Sequence, residues 1–340
     1  MSNEISVETI NNILNFDKVI SAKMEQIKRI FIADYGVEYA DLINEQLSNV
    51  YFAWYISAEN LEKLVGKENM DKYSYLLNMP AKHQHYLEKE GYYFPDLIDV
   101  GFEQGACILT SVRNNNGNYV SSPILFIDLG SNIPSLDVTL FHELNHVVES
   151  SIKEANTKRI RTISGWRSLT IEAESEELGS KGIYDKYSDA EIGEFFYLNE
   201  NINEFRARDL ARTAQNEGFY IINTEKDARI SSPHLYACSF FLTQEFYSIY
   251  KEDIIDSRLK GDLSIIFNKV GKENFMALNE LVDEFSEIVT PAYYEALMDD
   301  LKDNYDTYRV EKYYELCFKR DKILKQMQEY SLEKDGKIVA

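Results

Sequence analysis

The chain has few cysteines and no long apolar run. Three of its 340 residues are cysteine, and these lie far apart at Cys107, Cys238 and Cys317. An odd number at wide spacing excludes a disulfide framework and a C-x-x-C metal or redox pair, and indicates reduced core thiols. No run of about 18 consecutive apolar residues occurs, so no transmembrane helix is predicted.

Basic residues are also scarce relative to acidic ones. The chain has 36 Lys and Arg against 57 Asp and Glu, which gives a formal net charge of -21. Nucleic acids and anionic membranes are recognised by clustered Lys and Arg, so neither is expected as a partner. Residues 1–5 lack the features of a secretory signal. A cytoplasmic location is therefore expected, although a protein exported without a leader would show the same pattern.

Histidine is rare as well, yet two of the 5 histidines form a motif. Residues 142–146 read His-Glu-Leu-Asn-His, which is the pattern H-E-x-x-H. On a helix, His142 and His146 share one face, so both imidazoles can bind one metal ion. Glu143 then lies beside the ion and can accept a proton from a water molecule whose pKa the ion lowers. The motif therefore predicts a metal centre with a general base.

The flanking residues favour a helix at the motif. Ser135 or Asp137 can serve as the N-cap, and the negative charge of Asp137 is also favourable at the positive end of the helix dipole. Apolar residues follow at helical spacing, namely Val138, Phe141, Leu144 and Val148. The motif helix therefore has an apolar side to bury.

The chain divides into three regions and a tail. Residues 1–98 are predicted to be helical, residues 99–230 to form the catalytic core, residues 231–330 to be helical again, and residues 331–340 to be a loose tail. Apolar spacing predicts N-terminal helices at 16–35, 38–53, 57–65 and 82–90, and C-terminal helices at 235–250, 273–287, 291–303 and 310–330. His83 and His85 are two residues apart and would point to different sides of a helix, so a second metal site is not expected there.

The central region is predicted to begin with a β-hairpin. Residues 107–112 and 124–128 resemble strands, and the asparagine-rich segment 114–118 between them is typical of a turn. The strand 124–128 is expected to be an edge strand that pairs with an extended peptide beside the metal. Residues 153–190 are expected to be a lid or binding loop, or in their acidic part a solvated helix.

A third metal ligand is needed, because catalytic zinc usually takes three protein ligands and keeps one position open. Residues 196–211 offer Glu200 and Glu204, which would lie one helical turn apart on the same face. Without the upstream motif they would be interpreted as an exposed acidic pair, or Glu204 as a salt-bridge partner of Arg208.

With the motif, the chain resembles the zincin metallopeptidases, and among them the gluzincin branch, whose third ligand is a glutamate on a second helix. The resemblance covers residues 142–146 and 198–211. It implies an α+β, zincin-like fold that is mostly helical with a small sheet. It also implies Zn²⁺ as the cofactor and the hydrolysis of peptide bonds in a peptide or protein substrate.

Two registers of the second segment fit this resemblance. Asn199-Glu200 followed by Glu204 is similar to the N-E-x-x-x-D/E pattern of thermolysin-like enzymes, which would make Glu200 the ligand and Glu204 a partner that orients a histidine. Residues 204–207 resemble the E-F-x-A run of lethal-factor-like zincins, which would make Glu204 the ligand and Tyr197 a hydrogen-bond donor to the oxyanion. The second register is slightly preferred because two features agree with it. The chain departs from both, since no glycine follows Asn199-Glu200 and Arg208 stands where the second run has an acid.

His234 is a further candidate for stabilising the oxyanion, because it lies near a predicted helix start. A zincin-fold protein that binds without cutting is the alternative function. The intact Glu143 favours catalysis, since a general base is expected only where chemistry occurs.

Overall fold

The computed structural model describes residues 5–89, 105–108, 111–113, 119–121, 123–130, 133–155, 159–172, 195–224, 239–286, 288–303 and 305–336. The chain forms two compact units. The first comprises residues 1–164, 168–191 and 206–232, and the second comprises residues 165–167, 192–205 and 233–340. Residues 1–98 thus belong to the same unit as much of the predicted core.

Helices dominate the beginning of the first unit. They are α1 (Val7–Leu14), α2 (Phe16–Tyr35), α3 (Ala40–Ser48), α4 (Ala58–Val65), α5 (Met70–Tyr73) and α6 (Met79–Lys89). The predicted helices at 16–35 and 57–65 are confirmed, and the side chain of Ser57 caps α4 by accepting from the backbone N–H of Asn60.

The helix predicted over residues 38–53 is wrong at residues 49–53. It ends at Ser48, and residues Tyr51–Tyr55 form strand β1 instead. Aromatic side chains favour a strand when a partner strand is available, and Trp54 is buried at this position. Pairing with a strand that is distant in the sequence therefore outweighs the helical spacing of the apolar residues.

The partner is the predicted strand at 124–128. The strands of this region are β2 (Gly105–Ile108), β3 (Ser111–Arg113), β4 (Tyr119–Ser121) and β5 (Ile124–Asp128). β2 pairs with β5 and β3 pairs with β4, both antiparallel, so the predicted hairpin is confirmed, while its turn at 114–118 lies outside the described residues.

The predicted edge position of residues 124–128 is wrong. β1 pairs in parallel with β5, so the strand order is β1-β5-β2 and β5 lies at the centre. All five of its residues are buried. β1, which was not predicted, pairs with the side of β5 at which a substrate peptide could have been added.

A second sheet replaces part of the predicted loop. β6 (Ser150–Ala155), β7 (Arg159–Ser164) and β8 (Arg167–Glu172) form a three-stranded sheet in that order. The expectation of a loop is thus wrong for residues 153–155, 159–164 and 167–172, whereas residues 173–190 lie outside the described part of the chain. β6 and β7 are antiparallel, with Ser150 opposite Ser164.

Two helices carry the predicted metal ligands. The motif helix α7 spans Leu136–Val148, and all of its residues except His146 are buried. The second helix, α8, spans Phe196–Asn216. Polar side chains on such buried helices need partners, because an unpaired buried polar group is costly.

The remaining helices belong to the second unit. They are α9 (Phe240–Lys260), α10 (Leu263–Val270), α11 (Lys272–Ser286), α12 (Pro291–Lys302) and α13 (Tyr308–Lys334). Predicted helices at 273–287, 291–303 and 310–330 are confirmed, α10 was not predicted, and α13 extends into the predicted tail. None of the helices in the described ranges combines the length and the apolar character that a membrane span requires. The architecture is α+β, mostly helical with small sheets.

Candidate metal centre

Two histidines of α7 and one glutamate of α8 come together. The ligand atoms of His142, His146 and Glu200 all lie within 4.8 Å of one another. The two imidazole centroids are 5.1 Å apart. His142 and Glu200 are buried, and His146 is half-buried. The i, i+4 spacing of the motif therefore places both imidazoles on the same face of α7, as the sequence predicted.

The chemistry of this group fits a metal ion. Two imidazoles and one carboxylate are a donor set that zinc takes in catalytic sites, where three protein ligands leave one position open. Calcium and magnesium prefer oxygen ligands alone, so two imidazoles disfavour them. The group could hold a metal ion.

Glu204 is not a member of this group within the described residues, although it is buried one turn further along α8. Both glutamates share a helix face, so the position of α8 along its own axis decides which carboxylate reaches the histidines. The geometry therefore favours Glu200 as the third member of the group, which is the register of Asn199-Glu200. The sequence patterns had slightly favoured Glu204.

Ser164, at the end of β7, contacts His146 of this group. Its Oγ lies 3.2 Å from Nδ1 of His146 and donates a hydrogen bond to the backbone oxygen of His146 at 3.1 Å. Ser164 is buried, with 5% of its surface exposed. Ser164 was not predicted as a site residue, because residues 153–190 were expected to form a loop.

Asn199, the neighbour of Glu200, is held by a network in the second unit. Its Oδ1 accepts from the backbone N–H of Trp166 at 2.9 Å and from Nη1 of Arg258 at 2.9 Å. Trp166 also donates from Nε1 to Ser257 at 2.9 Å. These bonds hold Asn199 in the first turn of α8, directly before Glu200.

Gly165 allows this close approach. Its φ is +58°, in the left-handed region that favours glycine. A Cβ at this position would lie 2.5 Å from Oδ1 of Asn199 and 2.8 Å from Cζ of Arg258. The turn before β8 therefore needs glycine for both its backbone conformation and its space.

A buried ion-pair network lies near the end of α7 in the first unit. Arg206 pairs with Asp34 at 2.8 Å and with Glu149 at 3.5 Å, and its guanidinium lies 4.0 Å from the ring centroid of Tyr35. The hydroxyl of Tyr35 lies 2.9 Å from Oε1 of Glu149 and 3.1 Å from Oδ1 of Asn145, which precedes His146. The network ties α2 and α8 to the end of the motif helix.

The beginning of α7 is held by a different contact from the predicted cap. Ser135 is at the N-cap position but makes no side-chain cap bond. The carboxylate of Asp137 instead accepts from the backbone N–H groups of Ile221, Ile222 and Asn223 at 2.8 to 2.9 Å. The segment after α8 is thereby fastened to the start of α7.

The other site residues predicted from the sequence are Glu143, Tyr197 and His234. Glu143 is buried on α7, with 6% of its surface exposed. Tyr197 is half-buried three residues before Glu200 and packs against the apolar core of the second unit. His234 lies outside the described residues.

Comparison with protein-family models, with curated proteins and with solved structures finds no match for this chain. The functional assignment therefore depends on the residues and geometry described above.

Proposed function

We propose that this protein is a zinc-dependent metallopeptidase of zincin-like design that hydrolyses peptide bonds. The observation that carries the proposal is the convergence of His142, His146 and Glu200 within 4.8 Å, with Glu143 next to the first ligand in α7. These three residues would hold the ion, which supplies a Lewis acid for the scissile carbonyl and lowers the pKa of a water molecule when bound.

Glu143 would act as the general base. It follows His142 directly, so it lies beside the ligand set without belonging to it. In the proposed mechanism its carboxylate takes a proton from the attacking water and returns it to the amine nitrogen when the C–N bond breaks. Its burial limits competition from bulk water for that proton.

The substrate would pair with β2 instead of β5. Within the described residues β2 lies at one edge of its sheet, and it packs against α7. An extended peptide can add to such an edge through main-chain hydrogen bonds. This pairing favours extended peptide segments as substrates.

Two measurements test the proposal together. The metal content of protein purified without chelator is determined, and a peptide library is incubated with the wild type and with Glu143→Gln. We expect zinc in both proteins and hydrolysis by the wild type alone, because the substitution removes the proton acceptor and no ligand. Hydrolysis that persists in Glu143→Gln contradicts the assigned base.

Other outcomes are equally decisive. If the wild-type protein takes up no zinc on titration, the proposed metal centre is contradicted. A wild type that binds zinc but cleaves no member of the library contradicts the peptidase assignment and favours a binding protein.

A further inference from the structure

The hydroxyl of Ser164 makes two contacts with one ligand residue. It lies 3.1 Å from the backbone oxygen of His146 and 3.2 Å from Nδ1 of the same imidazole. A carbonyl oxygen can only accept, so the single hydroxyl proton of Ser164 goes to that oxygen. The oxygen of Ser164 is then the acceptor for the imidazole, and Nδ1 of His146 is the donor.

This assignment fixes the tautomer of the neutral imidazole. A neutral histidine carries one proton, and with that proton on Nδ1 the lone pair is on Nε2. Histidines that bind metals usually donate their other ring N–H to a nearby acceptor, which sets both the orientation of the ring and its tautomer. Ser164 occupies the place of such an acceptor.

The surroundings of Ser164 make its hydroxyl a fixed acceptor. The residue is buried at the end of β7, and its cross-strand partner is Ser150 in β6. β6 begins two residues after α7 ends, so the strand pair is joined directly to the helix that carries His146.

We propose that Ser164 is a positioning residue of the metal centre, which holds the His146 ring with Nε2 directed to the ion. The inference rests on the proposed metal site, and it does not depend on which substrate is cleaved. It assigns a function to the β7 strand end, which the H-E-x-x-H motif does not include.

The test compares Ser164→Ala with Ser150→Ala. Ser150 is a matched control, because it is buried with 3% of its surface exposed and its hydroxyl donates to the backbone oxygen of Val147 at 2.7 Å. Both substitutions remove a hydroxyl bonded to a carbonyl near the end of α7, and Ser164 also contacts the imidazole of His146. Loss of a partner that orients a ligand typically weakens metal affinity by about 10- to 100-fold.

We expect the zinc dissociation constant, measured by competition with a chromogenic chelator, to rise by that factor in Ser164→Ala and to stay close to the wild-type value in Ser150→Ala. Equal zinc affinity in the two variants overturns the proposal. Peptide hydrolysis is not part of this comparison, so a protein that binds zinc but cleaves nothing contradicts the peptidase and leaves the role of Ser164 intact.

A second readout requires no metal. The ¹⁵N shifts of the imidazoles in metal-free protein report the tautomer, and with 5 histidines in the chain the His146 signals can be assigned from the spectrum of His146→Gln. We expect a proton on Nδ1 of His146 in the wild type and in Ser150→Ala, and a shift toward the other tautomer in Ser164→Ala. A wild-type His146 protonated on Nε2 contradicts the proposal.

Discussion

At the residue scale, the choice between two glutamates decides which carboxylate belongs to the candidate metal centre. Glu200 and Glu204 are four positions apart, which corresponds to about 6 Å along the axis of α8. Both are buried and acidic, and their carboxylates are chemically equivalent. Only Glu200 belongs to the group with the two histidines among the described residues.

Separate substitutions of the two glutamates test this geometry. Glu200→Ala should lose zinc affinity by more than the about 100-fold that marks the upper range for an orienting partner, because a direct ligand is removed. Glu204→Ala should retain zinc with a smaller loss. The measurement is zinc occupancy under a competing chelator, and full occupancy in Glu200→Ala would return the assignment to Glu204.

Gly165 offers a second test at this scale. Gly165→Ala should lower the free energy of unfolding by more than about 1 to 2 kcal/mol, the cost of placing an alanine in the left-handed region, because the new Cβ also meets Asn199 and Arg258. Gly218→Ala is the control, since Gly218 has a φ of +73° and nothing within 4 Å of its Cβ position. Urea unfolding of both variants checks the difference, and equal losses would contradict the steric argument.

At the element scale, the ion-pair network around Arg206 fastens helices in the first unit. Arg206 and Glu149 are fully buried, and Asp34 and Tyr35 complete the contacts from α2. A buried pair is not necessarily stabilising compared with apolar residues, but removal of one partner leaves an uncompensated charge in the interior.

Arg206→Met should therefore cost about 3 to 5 kcal/mol of unfolding free energy, the usual cost of breaking a buried ion pair. The control is Arg212→Ala on the same helix. Arg212 pairs with Asp209 at 2.9 Å, but 52% of its side chain is exposed, and such a pair contributes about 0 to 1 kcal/mol. Denaturant unfolding of both variants gives the comparison, and similar losses would show that the network does not hold the helices.

At the scale of the whole molecule, a buried histidine makes folding sensitive to acid. His83 on α6 is 6% exposed, and its Nδ1 lies 2.8 Å from the hydroxyl of Tyr51 in β1. Burial lowers the pKa of His83 from 6.5 to about 4, with a smaller opposing effect from Asp17. The folded chain thus keeps this histidine neutral at a pH where the unfolded chain protonates it.

The sign of the effect follows from proton uptake. Between pH 6.5 and about 4 the unfolded state binds more protons, so the stability is present above pH 6.5 and decreases as the pH falls through this window. This pKa shift corresponds to a loss of about 3 kcal/mol of unfolding free energy across the window. Urea unfolding of metal-free protein at several pH values should show a weaker decrease in His83→Leu than in the wild type. His85→Leu is the control, because His85 is exposed on the same helix, and an unchanged decrease in His83→Leu would contradict this account.

The two histidines and the glutamate of the candidate metal centre were not equally predictable from the sequence. His142 and His146 are separated by one turn of a single helix, so their convergence depends on local geometry alone. Glu200 is 54 residues beyond His146, and its proximity depends on where α8 lies relative to α7. Ser164 had no signal of its own, because a serine at a strand end is common and its contact with His146 requires β6 and β7 to pair.

Sequence patterns were sufficient to predict the motif helix, the helices α2 and α4, the hairpin of β2 to β5 and the acidic character of the chain, because each depends on residues close together or on composition. Tertiary structure alone decided that β5 is central, that Glu200 accompanies the histidines and that Ser164 contacts His146. These features arise from contacts between residues far apart in the chain. Local periodicity cannot specify such contacts, since one pattern is compatible with several registers and several neighbours, and packing selects among them.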